Sequence, residues 1–375
     1  MIRTVTLTLC LTHNCNLRCT YCYAGRKYAH AMSEATAYKA IDIALAEARR
    51  TNQGMDVSFF GGEPLLEWEL LQKCYAYTKE HAEGLVVPPR FGITTNLTLL
   101  TEDKLEWMLE RDFLVGLSVD GSPDMHNTCR RYADGRGSHA DTLPALQWVR
   151  EHPQLRTRLL CVVTPRNFHL LEEGVQWLSE HYDKVIGLNF DYWSEWTDAQ
   201  FEELTDVIRR VGALVEASYR SGVKPIRIRS FRDKINMHLH GDKGCDGRCR
   251  IGEREIAVSV DGNFFPCSRL IGVGDEPELN FGNVETGIDR AKQNYIIATR
   301  GTATPACKVC ELRARCMHSC GCTNYAASGK INEVSPFLCC LERLLIQTAD
   351  ALAAALYADR VPAFMEEFYG EEELD

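Results

Sequence analysis

Two rhythms of apolar residues run through the first 190 positions. Short runs rich in Val, Leu, Ile and Phe predict strands at Val5–Leu9, Val57–Phe60, Phe91–Thr94, Leu114–Val119, Leu159–Val163 and Val185–Phe190. Runs this apolar suit strands covered on both faces. Between them, Ala37, Ile41, Leu45 and Ala48 follow three-four spacing, with Ser33 placed as an N-cap. Leu65–His81, Glu102–Arg111, Thr142–Glu151 and Leu170–Tyr182 read as helices in the same way. Six strand–helix repeats imply a parallel sheet with right-handed crossovers, open or curled into part of a barrel. Such folds bind ligands at the C-terminal ends of their strands.

Phe201–Arg220 and Phe231–His240 continue the helical pattern, and after Gly241 it stops. From Gly244 to Cys340 the chain is rich in Cys, Gly and Asn, with short strands expected at Ile256–Val260 and Asn263–Pro266. That composition suits a small lobe held by metals more than by an apolar core. A helix resumes over Arg343–Tyr357. The main boundary is expected near residues 235–244.

Composition narrows the class. Lys and Arg total 42 against 52 Asp and Glu, a formal charge of −10, which disfavours phosphate-driven nucleic-acid binding. Glu366, Glu367, Glu371, Glu372, Glu373 and Asp375 read as a solvated acidic tail. No run of apolar residues is long enough for a membrane span, and Met1–Cys10 lacks the core of a signal peptide, so a cytoplasmic location is expected. In that compartment the 17 cysteines point to metal or redox chemistry rather than disulfides.

The first cysteine group is Cys15, Cys19 and Cys22, directly after strand one. Three thiolates this close can wrap one face of an iron–sulfur cubane and leave its fourth iron open. A closed zinc site wants four ligands, and His13 is the only nearby candidate. The Cys-x3-Cys-x2-Cys spacing, with Tyr21 before the last Cys, resembles the signature of radical S-adenosylmethionine (SAM) enzymes. That family's fold is an α/β partial (β/α)6 barrel.

The likeness continues at successive strand ends. Gly61-Gly62-Glu63-Pro64 resembles the motif that contacts the SAM amino group, with glycines for close approach and Glu63 as acceptor for an ammonium. Thr94-Thr95-Asn96 and Ser118-Val119-Asp120-Gly121 resemble polar SAM and substrate contacts, and Arg130 would bind a carboxylate.

The second group, Cys307-x2-Cys310-x5-Cys316-x3-Cys320, preceded by Cys249 and Cys267 and followed by Cys339, resembles the SPASM extension with two auxiliary 4Fe–4S clusters. The resemblance implies one cluster on Cys245, Cys249, Cys267 and Cys320 and another on Cys307, Cys310, Cys316 and Cys339, with Cys340 as an alternative last ligand. Two zinc sites are the competing reading. The implied layout is a barrel over residues 1–235, the SPASM lobe over 236–345, and a helix with the acidic tail over 346–375.

Of the other cysteines, Cys10, Cys74 and Cys161 read as core residues, while Cys129 and Cys322 sit closer to the motifs. His238 and His240 read as structural or exposed.

The resemblance implies three 4Fe–4S clusters, SAM, a peptide or protein substrate and a flavodoxin- or ferredoxin-type reductant, and leaves open a separate leader-recognition protein. Members of this type form thioether or carbon–carbon or carbon–oxygen crosslinks, or oxidise Cys or Ser to formylglycine. The barrel begins close to Met1, so no N-terminal leader-recognition domain is expected, as in sulfatase-maturing members. Those members carry an Asp base after the Gly-x4-Cys cysteine, where this chain has Ser268, and a lone hydroxyl does not replace a carboxylate. Crosslinking of a ribosomally made peptide is therefore the first expectation and formylglycine formation the second. A plain ferredoxin-like carrier and a zinc-binding protein are the readings outside this class. Asp120, Asp191 and Glu195 are the candidate bases, and Tyr192 and Trp193 are candidate peptide contacts.

Overall fold

The computed structural model describes residues 3–25, 27–241, 249–271, 279–300 and 304–370. The six expected strands are β1 (Thr4–Thr12), β2 (Gly54–Gly61), β3 (Arg90–Thr95), β4 (Leu114–Ser118), β5 (Arg156–Val163) and β6 (Ile186–Phe190). The helices among them are α1 (Glu34–Arg50), α2 (Trp68–Glu80), α3 (Glu102–Glu110), α4 (Pro123–Cys129), α5 (His139–Glu151) and α6 (Leu171–His181). Then come α7 (Asp198–Arg220), α8 (Arg229–His240), β7 (Glu255–Val258), β8 (Phe264–Phe265), β9 (Gly282–Asn283) and β10 (Gly287–Ile288). The chain closes with α9 (Arg290–Arg300), α10 (Pro305–Lys308), α11 (Gly321–Ser328), α12 (Pro336–Ala358) and α13 (Pro362–Tyr369).

Two compact units divide the chain. The first comprises Met1–Ser118, Arg130–Thr157 and Arg250–Thr302, and the second the rest. In the first, β4-β3-β2-β1-β7 run parallel and β8 adds antiparallel to β7. Along β1 the pattern has period two. Val5, Leu7, Leu9 and Leu11 are all buried on one side, each contributing up to about 2 kcal/mol of apolar burial. Thr4, Thr6, Thr8, Cys10 and Thr12 face the other side. The α1 helix starts where Ser33 accepts the Thr36 N–H at 3.0 Å and buries Ala37, Ala40, Ile41, Ala44, Leu45 and Ala48. The strand expected at Ile256–Val260 is β7, and it extends this parallel sheet beside β1 from Thr6↔Glu255 to Leu9↔Val258.

In the second unit, β5 and β6 pair in parallel from Leu159↔Ile186 to Val163↔Phe190. A capping box of Thr197 and Gln200 starts α7. The α12 helix packs on α7 and α8. It begins at Pro336, seven residues before the expected Arg343, because Ser335 caps it by accepting the Leu338 N–H at 3.1 Å. Cys339 therefore lies on the first turn of a helix. No described helix is long and apolar enough to cross a membrane.

Candidate active site

In the first unit the cysteine loop leaves β1 and meets the end of β2 main chain to main chain. The Gly62 N–H donates to Thr12 O at 2.7 Å and the Glu63 N–H to Asn14 O at 2.9 Å. Gly61 has φ +132°, and a Cβ on Gly62 would sit 1.9 Å from Asn14 O. Only glycine permits that approach. The pair of glycines thus seats the residues just ahead of Cys15.

Glu63 is fully buried. Its carboxylate accepts the Leu65 N–H at 3.1 Å, the Thr95 hydroxyl at 2.8 Å and the Asn96 N–H at 2.8 Å. Burial outweighs these donors and pushes its pKa up to about 7. The side chain expected to receive a ligand ammonium is engaged in tying β2 to β3.

That tie places Asn96 beside the motif. Its Nδ2 donates to Cys15 Sγ at 3.8 Å and to Asn16 Oδ1 at 2.9 Å, while its Oδ1 accepts the Thr98 hydroxyl at 2.7 Å. Asn16 closes the ring by donating to Thr98 Oγ1 at 2.7 Å. Sequence reading missed Asn16, an unspecified position inside the cysteine motif, and Thr98, which follows Thr94-Thr95-Asn96. Cys15 and Cys19 are half-buried and Cys22 exposed. Burial raises the Cys15 pKa, and a ligating thiol must give up that proton.

The loop is braced from its other side. The Arg18 N–H donates to Arg131 O at 2.6 Å, and the Arg130 guanidinium lies 5.3 Å from the Tyr21 ring centre. Ser118, at the end of β4, is buried. Lys27 Nζ is buried with no hydrogen-bond partner and acts electrostatically on Cys10, His13 and Cys15. An uncompensated buried cation is costly, so this environment fits an anionic iron–thiolate group in the loop.

Ser268 has a neighbour invisible in the sequence. Its N–H donates to Glu255 Oε1 at 3.1 Å, and the same oxygen accepts the Thr8 hydroxyl at 2.9 Å. Burial raises the Glu255 pKa against those donors. Cys267, the expected ligand before it, is half-buried.

In the second unit, Cys307, Cys310, Cys316 and Cys339 line one cavity with Glu342 and Arg343. This is one of the two expected ligand sets, brought together from α10, from the two ends of the 3-10 turn Glu311–Arg315, and from α12. Cys340 is exposed and is not among the lining residues. Burial, then Glu342, pushes the Cys316 pKa up to about 12. Among the described residues, no three His, Cys, Asp or Glu side chains converge to hold a single metal ion. Of the other expected set, Cys249 is half-buried and Cys320 buried, with Cys320 Sγ 3.6 Å from Cys322 Sγ, and Cys245 lies outside the described residues.

Asp120 is buried, and its Oδ1 accepts the Val162 N–H at 2.8 Å. Asp191 is likewise used by its own turn, accepting the Trp193 N–H and the Ser194 hydroxyl. Glu195 and Trp193 are exposed, and Tyr192 meets Phe337 edge-on. His238 and His240 are both exposed. Cys10, Cys74 and Cys161 are buried as expected, and so is Cys129, whose Sγ lies 3.5 Å from Thr164 Oγ1.

Residues 9–178 match the family model described as the radical SAM superfamily. The chain carries a radical SAM domain. Enzymes of that superfamily use SAM and a 4Fe–4S cluster. An uncharacterized protein of Methanocaldococcus jannaschii is 34% identical over 172 residues, 46% of this chain and 57% of that protein, so the chain spans little more than half that relative's length. A cysteine-type anaerobic sulfatase-maturating enzyme of Clostridium perfringens is 23% identical over 337 residues, 82% of this chain and 85% of that enzyme.

Among solved structures, anSMEcpe with bound AdoMet and Cp18Cys peptide aligns with a TM-score of 0.79 at 20% identity, covering 95% of this chain and 99% of that one. Streptococcus suis SuiB bound to precursor peptide SuiA aligns with a TM-score of 0.59 at 15% identity, covering 90% and 76%. At these identities the likeness is one of fold, and it is the α/β partial barrel that the radical SAM resemblance implied.

Proposed function

We propose that the radical SAM domain serves peptide maturation, removing hydrogen from a ribosomally made peptide and closing a thioether, carbon–carbon or carbon–oxygen crosslink. The observation that carries the crosslinking reading is Ser268, which stands where formylglycine-forming members place an Asp base. The likeness in fold to proteins solved with bound peptides supports a peptide substrate.

In this reading Cys15, Cys19 and Cys22 hold the SAM-binding cluster. When bound, that cluster and SAM supply reductive cleavage to methionine and a 5′-deoxyadenosyl radical. Asn96 hydrogen-bonds the Cys15 sulfur and draws charge from it, and the Lys27 ammonium offsets the negative charge of the loop. Tyr21, Gly61, Gly62, Glu63, Thr95, Asn96 and Ser118 shape the wall around SAM, with Arg130 presenting a cation to a carboxylate. Cys307, Cys310, Cys316 and Cys339 hold an auxiliary cluster, which their shared cavity supports. By resemblance, Cys245, Cys249, Cys267 and Cys320 supply the ligands of a second auxiliary cluster. A flavodoxin- or ferredoxin-type protein delivers the electron.

Formylglycine formation is the second reading, and the Glu255 carboxylate behind Ser268 favours it. There the carboxylate comes from β7 rather than from position 268. The test is anaerobic incubation of iron-loaded protein with SAM, dithionite and peptides encoded beside its gene. A peptide that loses two hydrogens and stays inert to an aldehyde probe supports crosslinking. An aldehyde captured by a hydrazide supports the second reading, and no 5′-deoxyadenosine overturns both.

A further inference from the structure

We propose that the buried ion pair Lys234–Glu342 is a positioning device for Cys316, holding the peptide groups on either side of that thiol. Lys234 sits on α8 and Glu342 on α12, and both side chains are 4% exposed. Lys234 Nζ donates to Glu342 Oε2 at 2.6 Å and to Arg315 O at 2.5 Å. The same Glu342 oxygen accepts the Met317 N–H at 2.7 Å. The carbonyl before Cys316 and the N–H after it are therefore both gripped by one ion pair. Arg315 adds a third hold. Its Nε donates to Lys234 O at 3.2 Å, and its guanidinium forks onto Asp350 of α12, with Nη1 at 2.9 Å from Oδ2.

A purely structural role is a weak explanation for this arrangement. Buried ion pairs are often matched in stability by apolar pairs of similar volume, so the pair is not needed merely to join α8 to α12. An apolar pair leaves Arg315 O and the Met317 N–H without partners, and those are the groups that aim Cys316. Glu342 also lies three residues after Cys339 on the same helix, so one rigid element carries a thiol of the cavity and the clamp on another. Lys234 and Glu342 thereby preform the four-cysteine cavity before anything enters it. The inference rests on the reading of that cavity as a cluster site.

The experiment uses the full chain, reconstituted anaerobically, in four forms: wild type, Cys316→Ala, Lys234→Met with Glu342→Leu, and Glu342→Gln. Iron per chain, the electron paramagnetic resonance spectrum and melting temperature are measured together. C316A is expected to lose about four irons. Full iron in C316A overturns the cluster reading itself. With that reading intact, the double variant is expected to lose the auxiliary signal while its iron-free form still unfolds cooperatively, at a melting temperature lowered only by the two unpartnered peptide groups. An unchanged signal and full iron in the double variant overturn the inference. Should the double variant not fold, E342Q decides. Its neutral acceptor holds the Met317 N–H more weakly, so a chelator should strip the auxiliary iron about tenfold faster than from wild type. An unchanged release rate overturns the inference.

Discussion

The Glu63 carboxylate accepts the main-chain N–H of Asn96 at 2.8 Å, and this bond carries the Asn96 amide to the Cys15 sulfur. Glu63→Ala leaves that N–H, the Leu65 N–H and the Thr95 hydroxyl without their acceptor inside the protein. The expected cost is about 3 kcal/mol, read by chemical denaturation.

The same carboxyl gives a pH signature. Its pKa rises from 4.5 to about 7 on folding, so the folded chain holds the proton more tightly than the unfolded one. Its contribution to stability is therefore greatest at the acid end and declines as the pH climbs from 4.5 to about 7. Denaturation midpoints across that window should fall less steeply in Glu63→Gln than in wild type. Identical slopes would remove Glu63 as the titrating group.

Gly62→Ala forces a methyl into the space held by Asn14 O. The loop must move, at a cost of about 2 kcal/mol or more. The expected result is loss of 5′-deoxyadenosine formation with the auxiliary iron retained. Normal SAM cleavage by this variant would mean the contact between loop and β2 is slack.

Lys27→Met should act in opposite directions on the empty and loaded protein. Without iron, removing an unpartnered buried ammonium raises the melting temperature. With iron, losing that positive charge makes the N-terminal cluster harder to reduce, by about tenfold in the oxidised-to-reduced ratio at fixed potential. Spectroelectrochemistry reads the second effect, and an unchanged ratio would separate Lys27 from the cluster.

Cys339 and Cys340 are adjacent but face different surroundings. Cys339→Ala should lose about four irons and Cys340→Ala none, because only Cys339 lines the cavity. Iron counting after anaerobic reconstitution separates the two.

The strands were legible because runs such as Leu114–Val119 carry their own signal, and α1 because Ser33 and the alanine stripe agree. The cysteine motif was legible because its three cysteines lie within one loop. Contacts between distant positions left no such trace. Glu255 reaches Ser268 across 13 residues and Lys234 reaches Glu342 across 108, and no periodicity records either. The start of α12 was hidden because Cys339 and Cys340 drew a metal reading to residues that Ser335 and Pro336 had already committed to a helix. Glu63 was recognised as important from its motif. Its bonds to Thr95 and Asn96 give it a supporting part that the motif alone does not reveal.

Placing Cys339 on the first turn of α12 has a consequence for biogenesis. At about 5–20 residues per second, roughly 1–5 s of synthesis separates Cys316 from Cys339. The helix must also dock on α7 and α8 before its first turn is held in place. During that interval Cys307, Cys310 and Cys316 are thiols without their fourth companion, open to oxidation. Assembly of this cavity is therefore a late event in the life of the nascent chain.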